Sequence, residues 1–259
     1  MNQEGKVTTE QQGHVLLIGL DRVAKRNAFD RAMLNALALA YTELEHDNEM
    51  RCGVLFAHGE HFTAGLELTQ FASSLGQFEY PAGVIDPLGL RGPRLTKPLI
   101  SAVQGICLTV GIELLLATDI RIAASDARFA QIEIKRGLFP FGGATIRLPR
   151  EVGWGNAMRY LLTGDEFNAA EALRIGFVQE VVAPGQQLTR ATELAQVVSA
   201  QAPLGVRVTL KSARLAVAEG EEAAKQQFQP DLQKIMQSED IKEGVQSFIE
   251  RRQANFKGR

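Results

Sequence analysis

Apolar runs of strand length alternate with longer segments of helical periodicity through the first three quarters of the chain. That alternation narrows the fold more than any other feature. "HVLLIGL" (14–20), "CGVLFAHG" (52–59) and "KPLISAVQG" (97–105) read as buried strands, "DIRIAASDARFAQIEI" (119–134) holds two more, and "FVQEVV" (177–182) another. Between them, "RAMLNALALAYTELEHD" (31–47) has helical spacing behind Asp30, a residue suited to N-capping. "GNAMRYLLTG" (155–164) is helical with Gly164 as its C-cap, and "NAAEALRIG" (168–176) is a short capped helix. Strands that alternate with helices predict parallel pairing and an α/β fold. From about residue 187 the pattern is helical to the end, with breaks expected near Pro203, Gly220 and Pro230. The expected organisation is a core over residues 1–197 and a C-terminal helical region over 198–259. In the last helix, expected over 240–256, Ile241, Val245, Phe248 and Ile249 share a face that must pack on the core or on another subunit.

Charge and motif content exclude several classes. The net charge is −2, and Lys and Arg are scattered rather than blocked, so no electrostatic case exists for nucleic acid or an anionic membrane. Cys52 and Cys107 stand far apart with no metal-ligand spacing and read as small buried hydrophobes. The four histidines form no ligand set, and no nucleophile elbow, dinucleotide fingerprint or phosphate loop occurs. With no signal-peptide core and no apolar run of membrane-spanning length, a cytoplasmic protein is expected.

One stretch resists an ordinary structural reading. "LTVGIELLLATDIRIA" (108–123) is an apolar helix running into a strand, with Glu113 inside it. An unpaired buried carboxylate is costly and needs a partner, a raised pKa or a task. A capping-box role would need Ser or Thr at position 110, which is Val, with Thr109 one residue early; a buried ion pair stays open. If the helix starts near Val110, its free N–H groups and the Glu113 carboxylate converge on one point. That arrangement suits a reaction in which an oxyanion develops while a proton moves.

Three further stretches carry weaker signals. "GEHFTAGLEL" (59–68) ends a strand in a turn whose Ala64–Gly65 pair permits close approach of backbone to ligand. In "RFAQIEIKRGLFPFGGATIRL" (128–148), alternation places Phe129, Gln131 and Glu133 on one strand face ahead of a Gly- and Pro-rich turn. The segment 71–96, rich in Gly, Pro and Ser, reads either as a functional loop or as an exposed insertion.

Taken in order along the chain, these stretches resemble the crotonase, or enoyl-CoA hydratase/isomerase, superfamily over nearly the whole length. "KRNAFD" (25–30) resembles the family's early turn. "GEHFTAGLEL", "KPLISAVQGICLTVGIELLLATDIRIA" and "RFAQIEIKRGLFPFGGATIRLPREVG" resemble its three central segments, and "LLTGDEFNAAEALRIGFVQEVV" and "FIERRQANF" its later ones. The resemblance implies a ββα spiral core with a C-terminal α-helical region used in trimer formation, as a homotrimer or a dimer of trimers. It implies an acyl-CoA substrate and no separate cofactor, since coenzyme A arrives as part of the substrate. The backbone N–H groups of Leu66 and Val110 match the family's oxyanion hole. Glu113 and Glu133, twenty residues apart, match the two hydratase glutamates, the first activating water and the second donating a proton to C2. Lys25, Ala28, Ala64, Gly65 and Phe141 match substrate-binding positions, and Phe248 and Arg251 match positions that reach CoA from a neighbouring subunit.

The departures from the family pattern are specific. Thr109 and Val110 replace two glycines, Glu67 an Asp, Ile132 a Pro and Thr69 a Lys. A backbone N–H survives any side-chain change, so the Val110 donor is expected to remain. An enoyl-CoA hydratase is the first expectation. An isomerase with Glu133 as base, or a non-catalytic acyl-CoA-binding paralogue, is the alternative.

Overall fold

A computed structural model describes residues 4–71 and 79–259. The chain opens with a hairpin of β1 (Lys6–Gln12) and β2 (Val15–Asp21), joined at Gly13, whose φ of +60° supplies the turn. The polar, exposed β1 has no apolar signal and is absent from the expectations above; its pairing with the buried β2 makes it a strand. Helix α1 (Arg31–His46) follows, with the Asp30 carboxylate accepting from Met33 N at 2.8 Å as anticipated. Then come β3 (Cys52–Ala57), the short α2 (Leu68–Phe71), β4 (Leu99–Val103), β5 (Ile106–Leu108), α3 (Val110–Leu115) and β6 (Ile120–Ala124).

The chain continues through β7 (Arg128–Ala130), α4 (Ala144–Val152), α5 (Trp154–Thr163), β8 (Phe167–Asn168) and α6 (Ala169–Arg174) to β9 (Glu180–Val182), which completes the main sheet. Six strands run in the order β1-β2-β3-β4-β6-β9, parallel from β2 onward, and β5-β7-β8 form a second, smaller sheet. The central strands are buried on both faces, as continuous apolar runs in a parallel sheet must be. On one face the sheet packs against α7 (Gln187–Ser199) through Ala191 and Ala195, with Cys52 among the residues between them. The other face carries the larger core, which includes α1, α3 and Cys107. Gly164 closes α5 at φ +64°, and Asn168 caps α6 by accepting from Glu171 N, both as expected. The α/β fold anticipated from the alternation is the one observed.

Four expectations are corrected. The strand through 128–134 stops at Ala130, and Ile132–Arg136 is a 3-10 turn carrying Glu133. Strand β5 ends where the chain turns into α3, and β8 pairs only at Arg128 and Phe129, so nothing is left to pair beyond Ala130. Only Glu180–Val182 of the 177–182 run pairs, against β6, while Phe177 and Val178 go into the core. Helix α8 (Pro203–Glu219) begins at Pro203 and gives way at Gly220, but α9 (Glu221–Met236) continues through Pro230. Beside that proline, Lys211 Nζ holds Asp231 at 2.7 and 2.8 Å and ties α9 to α8. Last, α10 (Glu239–Glu250) ends at Arg251 in a left-handed conformation, φ +56°. The remaining residues turn back, with Lys257 N and Gly258 N donating to the Asp240 carboxylate. Val245, Phe248 and Ile249 of α10 face solvent in the single chain. Among the described residues no helix is long and apolar enough to cross a membrane.

Candidate active site

The site begins at a buried knot of turns. Asn27, at φ +53°, accepts from Arg22 N with its side-chain oxygen and donates to His58 O and His61 O. The Thr63 hydroxyl donates to Asn27 O at 2.6 Å and accepts from Gly65 N at 3.0 Å. Phe29 N donates to Gly65 O, and Glu67 N to Phe29 O, so Leu66 is clamped with its own N–H turned away from Phe29. Glu67 takes the place of a shorter acid and forms a 2.7 Å ion pair with the buried Arg22, which also lies 3.4 Å from Asp30. Asn27, Arg22 and Thr63 escaped the sequence reading.

Opposite this knot, β5 delivers the chain to α3 through Thr109. Its φ of +51° and ψ of −116° belong to glycine, and a β-branched residue there costs about 1–3 kcal/mol. Three hydrogen bonds hold it: Thr109 N donates to Ala130 O at 3.0 Å, and Thr109 O accepts from Glu113 N at 3.3 Å and from the Gln131 amide at 3.1 Å. Gly65 approaches so closely that a Cβ there would lie 2.2 Å from Thr109 Oγ1, and φ is +98°. Neither Leu66 N nor Val110 N has an acceptor among the described residues.

Glu113 lies in the first turn of α3 and is 4% exposed. Its Oε1 accepts from Gly142 N at 2.6 Å and Ala144 N at 3.3 Å, while Oε2 has no donor among the described residues. The capping and ion-pair readings therefore both fail: the carboxylate is held by the backbone of another loop. A Cβ at Gly142 would lie 2.2 Å from Oε2, so any side chain there forces the carboxylate to move. Burial pushes the Glu113 carboxyl above the ordinary range, against the opposing pull of the Ala144 and Gly142 amides and the Arg147 guanidinium.

Glu133 enters from the 3-10 turn. Gln131 is buried, and the orientation that satisfies its amide turns the nitrogen toward both Glu133 carboxylate oxygens, each at 3.1 Å. Burial raises the Glu133 pKa to about 7 against the pull of its own backbone N–H, with the neighbouring Glu113 adding a smaller upward push.

Glu113, Glu133, Ala64, Leu66, Val110 and Phe141 line one cavity of about 190 Å³. Thr109, Leu34, Phe71 and Leu138 line it too, and Leu88 and Leu90 form part of its wall. The wall they belong to is built by Asp86, which accepts from the N–H groups of Leu88, Leu90 and Arg91. Part of the 71–96 segment is therefore a wall of the cavity, while 81–83 and 92–94 are exposed; positions 72–78 lie outside the described residues. Lys25, Ala28 and Gly65, expected to bind substrate, lie in the neighbouring turns and are not among the residues that line the cavity. Phe248, 84% exposed, and the exposed Arg251 stand at the end of α10 and do not line it.

The arrangement places two carboxyls of raised pKa and two unsatisfied backbone donors on one largely apolar cavity. Comparison with known proteins identifies the family. The family model described as enoyl-CoA hydratase/isomerase matches residues 10–259. An enoyl-CoA hydratase of Mycobacterium tuberculosis is 39% identical over 258 residues, covering 96% of each chain. A short-chain-enoyl-CoA hydratase of Clostridium acetobutylicum is 32% identical, covering 98% of each. The crystal structure of a probable enoyl-CoA hydratase/isomerase from Mycobacterium abscessus superposes with a TM-score of 0.96 at 52% identity, covering 98% of this chain and 99% of that one. The chain thus has the crotonase fold and belongs to the enoyl-CoA hydratase/isomerase family.

Proposed function

We propose that the protein adds water across the 2,3 double bond of 2-enoyl-CoA thioesters. The observation that carries this reading is the pair of glutamates on one cavity, both shifted upward by burial but anchored differently. Water attack at C3 builds enolate charge on the thioester oxygen. The free N–H groups of Leu66 and Val110 are the donors for that oxygen, and losing one such donor typically costs a factor of about 10²–10³ in rate. Glu113, fixed by Gly142 and Ala144 with Oε2 free, takes a proton from the attacking water as the C3–O bond forms. Glu133, poised near neutrality, gives its proton to C2. One proton is taken and one given, and transfer of a proton from Glu113 back to Glu133 resets the site. Leu34, Phe71, Leu88 and Leu138 suit a hydrocarbon acyl tail. Coenzyme A is part of the substrate, and no separate cofactor enters the scheme.

The exposed Val245, Phe248 and Ile249 on α10 support self-association of the family's trimeric kind, with Phe248 and Arg251 serving a neighbouring subunit's site. Light scattering on the purified chain measures this directly.

The test of function is loss of the conjugated enoyl absorbance with a panel of 2-enoyl-CoA thioesters of graded length. Wild-type turnover, lost in both Glu113→Gln and Glu133→Gln while each variant still binds a saturated acyl-CoA, is the expected result. Binding without turnover would overturn the hydratase reading. A double-bond shift catalysed with Glu133 alone would replace it with isomerase chemistry.

A further inference from the structure

Thr109 raises a question that its neighbours answer. The backbone there has a glycine's conformation, with φ +51° and ψ −116°, yet the residue is β-branched. Its side chain lies at the junction of the two turns that carry the free donors. Thr109 is bonded directly to Val110 N, and its Oγ1, rather than its methyl, lies against Gly65, which is bonded directly to Leu66 N. The hydroxyl caps nothing and has no hydrogen-bond partner among the described residues. The residue is partly exposed on the cavity. A hydroxyl that lines a largely apolar cavity beside two unused N–H groups has its partner in whatever polar atom those N–H groups bind.

We propose that the Thr109 hydroxyl is a third hydrogen-bond donor to the substrate thioester oxygen, beside the N–H groups of Leu66 and Val110. This rests on the acyl-thioester reading of the cavity and adds a side-chain donor that the reading does not require. The donor count on the oxygen rises from two to three, and the proton stays on Oγ1 throughout. A glycine would leave the backbone relaxed but supply no donor. Strain at this position is therefore the cost of placing a hydroxyl directly beside the two free N–H groups.

Three variants separate hydroxyl from shape. Thr109→Val keeps the branched shape and removes the hydroxyl, Thr109→Ser keeps the hydroxyl, and Thr109→Gly removes it while releasing the strained backbone. In hydration of a 2-enoyl-CoA, kcat falls about 10- to 100-fold in the Val and Gly variants, while Thr109→Ser recovers most of it. The Kd of a saturated acyl-CoA stays within about twofold in all three, because the donor acts most strongly on charge that develops in the transition state. The Gly variant melts no lower than wild type. Unchanged kcat in both the Val and Gly variants would overturn the proposal, as would an equal loss in Thr109→Ser. A second readout does not need turnover. A chromophoric thioester such as 4-dimethylaminocinnamoyl-CoA, bound in the cavity, absorbs at longer wavelength the more its carbonyl is polarised. The red shift is expected to shrink in Thr109→Val and to be retained in Thr109→Ser. An equal shift in wild type and Thr109→Val would overturn the donor role. A Thr109-dependent shift in a protein that hydrates no enoyl thioester would instead remove the hydratase reading and leave the donor in place.

Discussion

Glu113 and Glu133 face one cavity from walls built in different ways. The Glu113 wall is backbone: a helix turn on one side, the Gly142–Ala144 amides on the other, and no room for a Cβ between them. The Glu133 wall is a single 3-10 turn, half-buried, in which the carboxylate meets a side-chain amide from Gln131. Burial shifts both acids upward; Glu113 is drawn back toward its charged form by two amides of another loop, Glu133 by the N–H of its own turn. Two residues of one type thus meet different surroundings, and the proposed hydration gives them different tasks. The carboxylate pinned by amides is suited to holding water in one position. The one that titrates near neutrality is suited to passing a proton.

Removing either carboxylate is the coarsest way to break the comparison. In Glu113→Gln or Glu133→Gln, kcat falls about 10²- to 10⁴-fold in the enoyl absorbance assay, with the far-ultraviolet circular dichroism unchanged. A subtler break leaves both acids in place. Gly142→Ala drives a Cβ into Glu113 Oε2, so kcat falls about 10²-fold and thermal unfolding shows a loss of about 1–3 kcal/mol. The Glu133-dependent pH limb should survive that change.

The Asn27 knot lies outside both walls. Asn27→Ala leaves Arg22 N, His58 O and His61 O without their partner and costs about 2–4 kcal/mol by denaturant titration. Because this knot holds the Leu66 donor, kcat falls about 10-fold while the pH profile keeps its shape.

The smallest expected effect is on stability against pH. Because the fold raises the Glu133 pKa to about 7, the native state holds that proton more tightly than the unfolded chain does. Its contribution is fully present below the ordinary carboxyl range and is lost as pH rises toward 7. Glu133→Gln should therefore melt higher than wild type at pH 8 relative to its difference at pH 4. No pH-dependent difference would place Glu133 in solvent.

Much of the Glu113 wall was legible in the sequence, because an acid inside "LTVGIELLL" has few ordinary explanations. So were the parallel strands and the Asp30 and Gly164 caps, which depend on local pattern. What escaped reading depends on pairing across the chain. The polar β1 is a strand only because β2 lies beside it. Glu133 leaves the strand alternation because no neighbour continues past Ala130. Thr109 was visible as a departure from glycine, but its left-handed backbone follows from contacts with Ala130, Gln131 and Gly65. Asn27 carries a cue of its own, since asparagine is among the few residues that tolerate φ > 0.

The most direct test of the division of labour is exchange of the C2 protons of a saturated acyl-CoA with D2O, followed by NMR in wild type, Glu113→Gln and Glu133→Gln. Exchange needs a base at C2 and donors for the thioester oxygen, but no attacking water. Glu113→Gln should therefore keep exchange within about 10-fold of wild type while losing hydration, and Glu133→Gln should lose both. Exchange that persists in Glu133→Gln and disappears in Glu113→Gln would contradict the assignment of the two walls.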